Sequence, residues 1–395
     1  MHKIICCQIS TNLIYGNSKK DNISIMDKYY NQLYKNVNGY YKSKHYWEIP
    51  NWVSIINNNV RTGFHVVKTI NSTVNYLKRN TNKIVLFSVL DINKDIIKTI
   101  ISNCPDNTFY IGGYINKTYF DGLKNAIWFN SLKEIITNLE IPFKSGHNNN
   151  HFKNNKTIPR LTLSTGCLYN CDFCSIEHKL IEYDNDKINE QINSFKGLKF
   201  KLIYINDKTF GQCPNHLQIK EIYHKIKAFN NNFEGFIIQT TAIDILNISI
   251  KDIEEMHIKY IEIGVESFND KILKPLHKPH TTEIIEKAFN YIGNIKTVKL
   301  IPNIIIGIPT ENDKTYENTK QFLIKYDSVI SHFNIYCLAL YENTKLSIDL
   351  KHNDENDINE NTLEKSFNKN NNSHKEFYNY IFNYGIEKVN KKDGE

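Results

Sequence analysis

No apolar run in this 395-residue chain approaches the ~18–20 residues that a membrane helix needs, so contact with a membrane is not expected. No N-terminal segment has the charged-then-apolar layout of a signal peptide, and a cytoplasmic location is expected. The chain also lacks blocks of like charge. Its net charge of +7 is dispersed, which solubility explains, and nucleic-acid binding is not indicated. The eight cysteines do not form a disulfide framework. Cys6, Cys7, Cys104, Cys213 and Cys337 read as small buried residues. Cys6 and Cys7 are adjacent in a strand pattern, so they point to opposite faces. Hydrophobic residues make up 41% of the chain, enough for buried cores. The length favours two domains.

What is present is one dense stretch, Thr162-Leu-Ser-Thr-Gly166-Cys167-Leu-Tyr-Asn-Cys171-Asp-Phe173-Cys174. Three cysteines at C-x3-C-x2-C spacing follow a short apolar strand pattern. Three thiolates this close in sequence can converge on a soft metal centre. Fe–S clusters are normally held by four Cys, so three would leave one iron of a [4Fe–4S] cube open to something that is not protein. A structural zinc knot is the other reading, because His178 completes a Cys3His set.

The N-terminal half alternates strands and helices. Strands are expected at Ile4–Ile9, Phe64–Val67, Lys83–Ser88, Thr108–Ile111 and Ala126–Phe129. Pro50-Asn-Trp52 opens an expected helix that ends near Gly63, and further helices are expected through Val74–Lys78, over Asp91–Ser102 and over Ser131–Leu139. Ser131 and Glu134 form a capping box. The alternation argues for a Rossmann-like, doubly wound parallel sheet, which binds ligands at the carboxyl ends of its strands. Lys144–Thr157 is polar and Asn-rich and reads as a linker with His147 and His151 solvated.

From Arg160 the pattern is strand then helix, six times. Strands fall at 160–165, 202–206, 235–240, 260–265, 299–306 and 332–338, with helices at about 184–196, 215–229, 249–257, 281–292 and 313–325. Six such units fit a partial, open (β/α)6 TIM-like barrel, whose chemistry gathers at the carboxyl ends of the strands. Domains are placed at 1–145, 146–158 (linker), 159–350 and 351–395. His374–Val389 reads as an amphipathic helix with Phe377, Tyr380, Ile381 and Tyr384 along one face. Gln239-Thr240-Thr241 ends a strand at the barrel mouth. It faces a ligand or caps the next helix.

The cysteine stretch resembles the cluster loop of the radical S-adenosylmethionine (SAM) enzymes, with Phe173 as the aromatic residue before the third Cys. Further segments fit the same family in order. Asn206-Asp207 ends the second strand, Gly264-Val-Glu266-Ser267 resembles its Gly-x-Glu-Ser segment, and Leu273-Lys-Pro-Leu-His277-Lys278 its continuation. Gly307-Ile-Pro309-Thr-Glu311 resembles its Gly-x-Pro-x-Glu strand end, with Asn303 in place of an earlier Gly. Leu340-Tyr-Glu-Asn343-Thr344 loosely resembles the loop after the last strand. The resemblance implies a [4Fe–4S] cluster on Cys167, Cys171 and Cys174. It implies SAM near Phe173, Asn206, Asp207, Glu266, Ser267, Gly307, Pro309 and Glu311, and reductive cleavage of SAM to a 5′-deoxyadenosyl radical. An external electron donor of flavodoxin or ferredoxin type is implied as well.

Ser88-x-Leu90 followed by Gly112-Gly113 resembles the cobalamin-binding domain that precedes many radical SAM domains. There Ser88, Leu90, Gly112 and Gly113 would lie near the nucleotide tail. No His in Gln8–Lys20 offers a lower cobalt ligand. A Rossmann-like domain without corrin is the alternative.

The implied function is a radical SAM enzyme, with cobalamin-dependent methyl transfer to an unactivated carbon or phosphorus centre as the favoured reaction. A corrin-free oxidation, rearrangement or sulfur insertion is the second reading. A non-catalytic Fe–S or zinc protein is the third. The substrate, a small molecule or a peptide, and the catalytic residues are not legible.

Overall fold

The computed structural model describes residues 3–10, 13–14, 29, 49–113, 115–153, 155–338, 344–353 and 372–391. Leu340–Asn343 and most of Gln8–Lys20, on which two of the readings above fall, lie outside them. So does the polar stretch before the last helix. The chain divides into two compact units, one built on residues up to Pro159 together with Asn189–Phe200, the other on most of the chain from Arg160 onward.

The first unit is organised on five parallel strands: β1 (Ile4–Ile9), β2 (Gly63–Val67), β3 (Ile84–Val89), β4 (Thr108–Gly113) and β5 (Ala126–Trp128). Their order is β2-β1-β3-β4-β5, and every pairing is parallel. This doubly wound order reverses between β1 and β3, where such sheets open a crevice at their carboxyl ends. The strands are apolar on both faces because helices cover them. Cys7 and Cys104 belong to the resulting core with Ile5, Val85, Phe87 and Phe109, all nearly inaccessible. Ser131 caps the helix Leu132–Asn138 through the Glu134 backbone N–H at 3.2 Å. The Glu134 carboxylate closes onto the Asn130 N–H at 2.9 Å, one residue before the partner that a capping box requires. The segment 146–158 packs on this unit. Phe152 is fully buried, Asn149 bonds to Ser54 and to Ser194, and the His151 Nε2 lies 2.9 Å from the Thr62 hydroxyl. Neither His147 nor His151 is fully exposed, so the solvated histidines expected there are half-buried instead.

The second unit has six parallel strands: β6 (Arg160–Leu161), β9 (Leu202–Ile205), β10 (Gly235–Thr240), β11 (Ile258–Glu266), β12 (Lys299–Ile306) and β13 (Asn334–Cys337). They pair in chain order, as an open (β/α)6 barrel does. A short antiparallel pair, β7 (Ser164–Thr165) and β8 (Ile181–Glu182), flanks the cysteine loop. On β11, Ile261, Ile263 and Val265 are wholly buried. They alternate with Glu262, Gly264 and Glu266, as the period of two requires. The helix Asn372–Lys391 packs through Phe377, Tyr378, Ile381 and Phe382. The Phe377 ring stacks 4.2 Å from that of Tyr316 on the helix Asp313–Lys325.

Candidate active site

The site is assembled at the carboxyl ends of β6, β9, β11 and β12. The first strand was expected to run through 165, but it stops at Leu161. Asp207, just past β9, accepts the Leu163 N–H at 2.8 Å and the Ser164 N–H at 3.0 Å on Oδ1, and the Ser164 hydroxyl at 2.6 Å on Oδ2. A carboxylate takes the ladder bonds there, and the chain leaves the sheet into the cysteine loop. Burial pushes the Asp207 carboxyl up while these donors pull it down. Asn206 is engaged similarly. It accepts from the Arg160 guanidinium at 3.0 Å and donates to the Thr162 hydroxyl at 3.3 Å. Both residues, expected near SAM, brace the start of the loop.

At Gly166 the loop turns with φ +86°, and a Cβ would lie 2.0 Å from the Lys179 carbonyl. Only glycine fits. Cys167, Cys171 and Cys174 follow as free thiols, Cys171 buried and the other two half-buried. The Cys167 Sγ lies 3.3 Å from the Thr209 hydroxyl and accepts the Tyr169 N–H at 3.5 Å. Burial raises the Cys171 thiol to about 11 and raises that of Cys174, against the pull of Lys278. Among the described residues, no three His, Cys, Asp or Glu side chains converge closely enough to grip a single metal ion. His178 is exposed and turns its Nδ1 back to the Tyr169 carbonyl at 2.7 Å. A zinc knot asks its four ligands to meet on one ion. Three thiols in one loop would hold three irons of a [4Fe–4S] cube and leave the fourth open, and the donor set fits that centre.

The loop is clamped by Asp172, between the second and third cysteines. Its carboxylate lies 2.9 Å from the His277 Nδ1 and 3.2 Å from the Lys345 ammonium. Its N–H donates to the Leu276 carbonyl at 3.1 Å, and its carbonyl accepts from the Leu346 N–H at 2.9 Å. Phe173 packs beside Ile272, Leu276 and Ile308. Asp172 and Lys278 were not singled out from the sequence. An acid inside a three-cysteine loop and a Lys just after the Gly-x-Glu-Ser segment were the signals.

Lys278 is a buried cation of the site. Its ammonium pairs with Glu266 at 2.9 Å, and both side chains are almost fully buried. Burial alone would depress this amine, but Glu266, Cys171 and Cys174 together hold it above its ordinary value. Glu266 has φ +63° at a register shift between β11 and β12, a conformation that a bulky residue keeps only when its surroundings enforce it. Ser267 is buried beside it. On the next strand end, Gly307 has φ +87° and Thr310 φ +80°. The Glu311 carboxylate accepts the N–H groups of Gly307 at 2.8 Å and Ile308 at 3.2 Å, and burial raises its carboxyl to about 7. Pro309 is half-buried within this turn.

In the first unit, Ser88 and Leu90 stand at the end of β3, next to Gly112 and Gly113 on β4. Leu90 is 42% exposed. The glycines have a reason that needs no ligand. A Cβ on Gly113 would lie 1.8 Å from the Val89 carbonyl, and one on Gly112 would lie 2.5 Å from that of Phe129.

Residues 161–323 match the family model described as "Radical SAM superfamily". The ribosomal protein uS12 methylthiotransferase of Thermosipho melanesiensis is 24% identical over 269 residues, 60% of this chain and 63% of that protein. A putative methylthiotransferase of Methanocaldococcus jannaschii is 28% identical over 173 residues, 40% of this chain and 37% of that one. The chain thus spans less than two thirds of the curated relatives it matches. In fold it is similar to the radical SAM methyltransferase TsrM of Kitasatospora setae, solved with cobalamin and a [4Fe–4S] cluster. The TM-score is 0.60 at 10% identity over 89% of this chain and 78% of that one. It is also similar to the cobalamin-dependent SAM radical enzyme OxsB, with TM-score 0.56 at 14% identity over 90% of this chain and 61% of that one. Residues 161–323 are thus a radical SAM superfamily domain on an open parallel barrel, preceded by a Rossmann-like sheet.

Proposed function

We propose that this protein is a cobalamin-dependent radical SAM methyltransferase. Cys167, Cys171 and Cys174 hold a [4Fe–4S] cluster; SAM lies against Glu266, Ser267 and the turn Gly307–Glu311. When bound, cluster and SAM supply a 5′-deoxyadenosyl radical, and cobalamin supplies a methyl group for an unactivated carbon or phosphorus centre. The chain's own work is positional. Asp207 and Asp172 fix the two ends of the cysteine loop, Lys278 offsets thiolate charge, and Glu266 offers acceptors for ribose hydroxyls. A flavodoxin or ferredoxin in the cytoplasm serves as reductant.

The observation that carries the corrin part is the β2-β1-β3-β4-β5 sheet, within a likeness that runs over 89% of the chain to an enzyme solved with cobalamin. The curated relatives favour a second reading, methylthiolation. Against it, Cys6, Cys7 and Cys104 of the first unit are buried in strand and core, where burial pushes each thiol up. They do not assemble a second cluster among the described residues.

The test is anaerobic reconstitution. The protein should take up about four irons, cleave SAM when given dithionite, and retain hydroxocobalamin by its absorption spectrum. A Cys167→Ala, Cys171→Ala, Cys174→Ala triple variant should hold no cluster. Stoichiometric zinc without iron uptake would sink the cluster. Iron with SAM cleavage but no corrin would leave the second reading.

A further inference from the structure

The three thiols of the cysteine loop have different neighbours. The ammonium of Lys278 acts on Cys171 and Cys174. Cys167 is met by neutral donors instead, the Tyr169 N–H at 3.5 Å and the Thr209 hydroxyl at 3.3 Å. Thr209 is 5% exposed, and among the described residues its hydroxyl has no partner besides the Cys167 sulfur. A buried hydroxyl costs free energy unless it is hydrogen-bonded, so this contact is what makes a threonine tolerable there. A valine of the same shape would need none. The hydroxyl is fixed from both sides. Two residues earlier, Asp207 binds the backbone of Leu163 and Ser164, where the cysteine loop begins. One residue later, Phe210 is fully buried; its N–H donates to the Gln239 carbonyl at 2.8 Å, and its carbonyl accepts the Thr240 hydroxyl at 2.8 Å. A β-branched side chain has little freedom at χ1. The short segment after β9 thus sets both the start of the cysteine loop and the hydroxyl that meets its first sulfur.

Between a free thiol and a hydroxyl, either atom can donate. A metal-bound cysteine is a thiolate and has no proton to give, so the hydroxyl must then be the donor. Hydrogen bonds to the sulfurs help to set the reduction potential of an Fe–S cluster. The reason is electrostatic. An added electron spreads negative charge onto the sulfur ligands, and a donor aimed at one of them stabilises the reduced form more than the oxidised one. Losing that donor moves the potential down.

We propose that Thr209 is a positioning residue that tunes the cluster: acting through the Cys167 sulfur, its hydroxyl raises the potential at which the cluster accepts an electron. The proposal rests on the [4Fe–4S] reading, and its test reads a potential rather than turnover. Reconstituted protein without SAM is titrated with dithionite, which delivers one electron per cluster, and the midpoint is read from the electron paramagnetic resonance of the reduced form. Thr209→Val keeps the shape and removes the donor. It should lower the equilibrium constant for that electron roughly threefold to tenfold, about 30–60 mV at about 59 mV per decade. Thr209→Ser keeps the donor and should titrate with the wild type. Thr240→Val is the structural control, since it loses the buried hydroxyl that holds Phe210 but leaves the cysteines their donors; its midpoint should not move. The proposal falls if Thr209→Val titrates with the wild type at equal iron content, or if Thr209→Ser or Thr240→Val shifts as far as Thr209→Val does. If Thr209→Val takes up no iron, Thr209→Ala removes the same hydroxyl with a smaller side chain. If that variant also stays empty, the hydroxyl builds the cluster rather than tunes it, and the proposal falls too. Wild-type protein that takes up no iron would instead overturn the cluster reading and the proposal with it, whereas iron with an unmoved midpoint overturns the proposal alone.

Discussion

At the scale of single residues, the site is held by carboxylates whose work is mechanical. Asp207 answers three donors at the mouth of the cysteine loop. Asp207→Ala should cost roughly 2–4 kcal/mol, because it leaves buried backbone N–H groups without an acceptor. It should also lower iron uptake although every cysteine is intact. Thermal unfolding and iron analysis check both, and unchanged iron content would show that the loop keeps its shape alone. Glu311 gives a pH dependence. Burial raises its carboxyl from the ordinary 4.5 to about 7, so the folded chain keeps a proton there that the unfolded chain has released. Its contribution is full below about pH 4.5 and is lost as pH rises through about 7. Denaturant titrations should show Glu311→Gln flattening the fall in stability over that window. An identical slope in the variant would place the titration elsewhere. The sequence marked Asp207 and Glu311 as ligand contacts by resemblance. Which atoms their oxygens meet depends on where Leu163, Ser164 and Gly307 come to lie, and strand periodicity does not carry that.

At the scale of elements, strand alternation and helix caps made the order of strands and helices readable almost throughout. The differences have local causes. The first barrel strand breaks at Leu161 because a side chain replaces its ladder partner. The glycine pair on β4 was read as room for a nucleotide tail, but close approach between neighbouring chain segments already requires it. Gly113→Ala would force its Cβ against the Val89 carbonyl, 1.8 Å away before relaxation. It should destabilise the chain by roughly 1–3 kcal/mol. The same melting experiment without added corrin measures this, and a neutral result would return the glycine to the ligand. Corrin binding is accordingly better tested at Leu90, which is 42% exposed and free of that clash.

At the scale of the whole molecule, cofactors and stability are linked. A ligand that binds only the folded chain stabilises it by mass action, about 2.7 kcal/mol at a hundredfold excess over Kd. SAM should therefore raise the melting temperature of the iron-loaded protein and do nothing after the iron is chelated, if SAM binds at the cluster that Cys167, Cys171 and Cys174 would hold. An equal shift in chelated protein would mean that SAM binds without the cluster. The architecture itself was open to reading from the chain. Alternating strands and helices admit a parallel sheet, and three cysteines after the first barrel strand announce a metal loop. Those properties follow from local spacing, and spacing is written in the sequence. Tertiary structure alone decided that Asp172 ties the loop to His277 and Lys345 and that Lys278 pairs with Glu266 beside two thiols. Such contacts join residues tens to hundreds of positions apart, and only the closing of the sheets brings their charges within reach of one another.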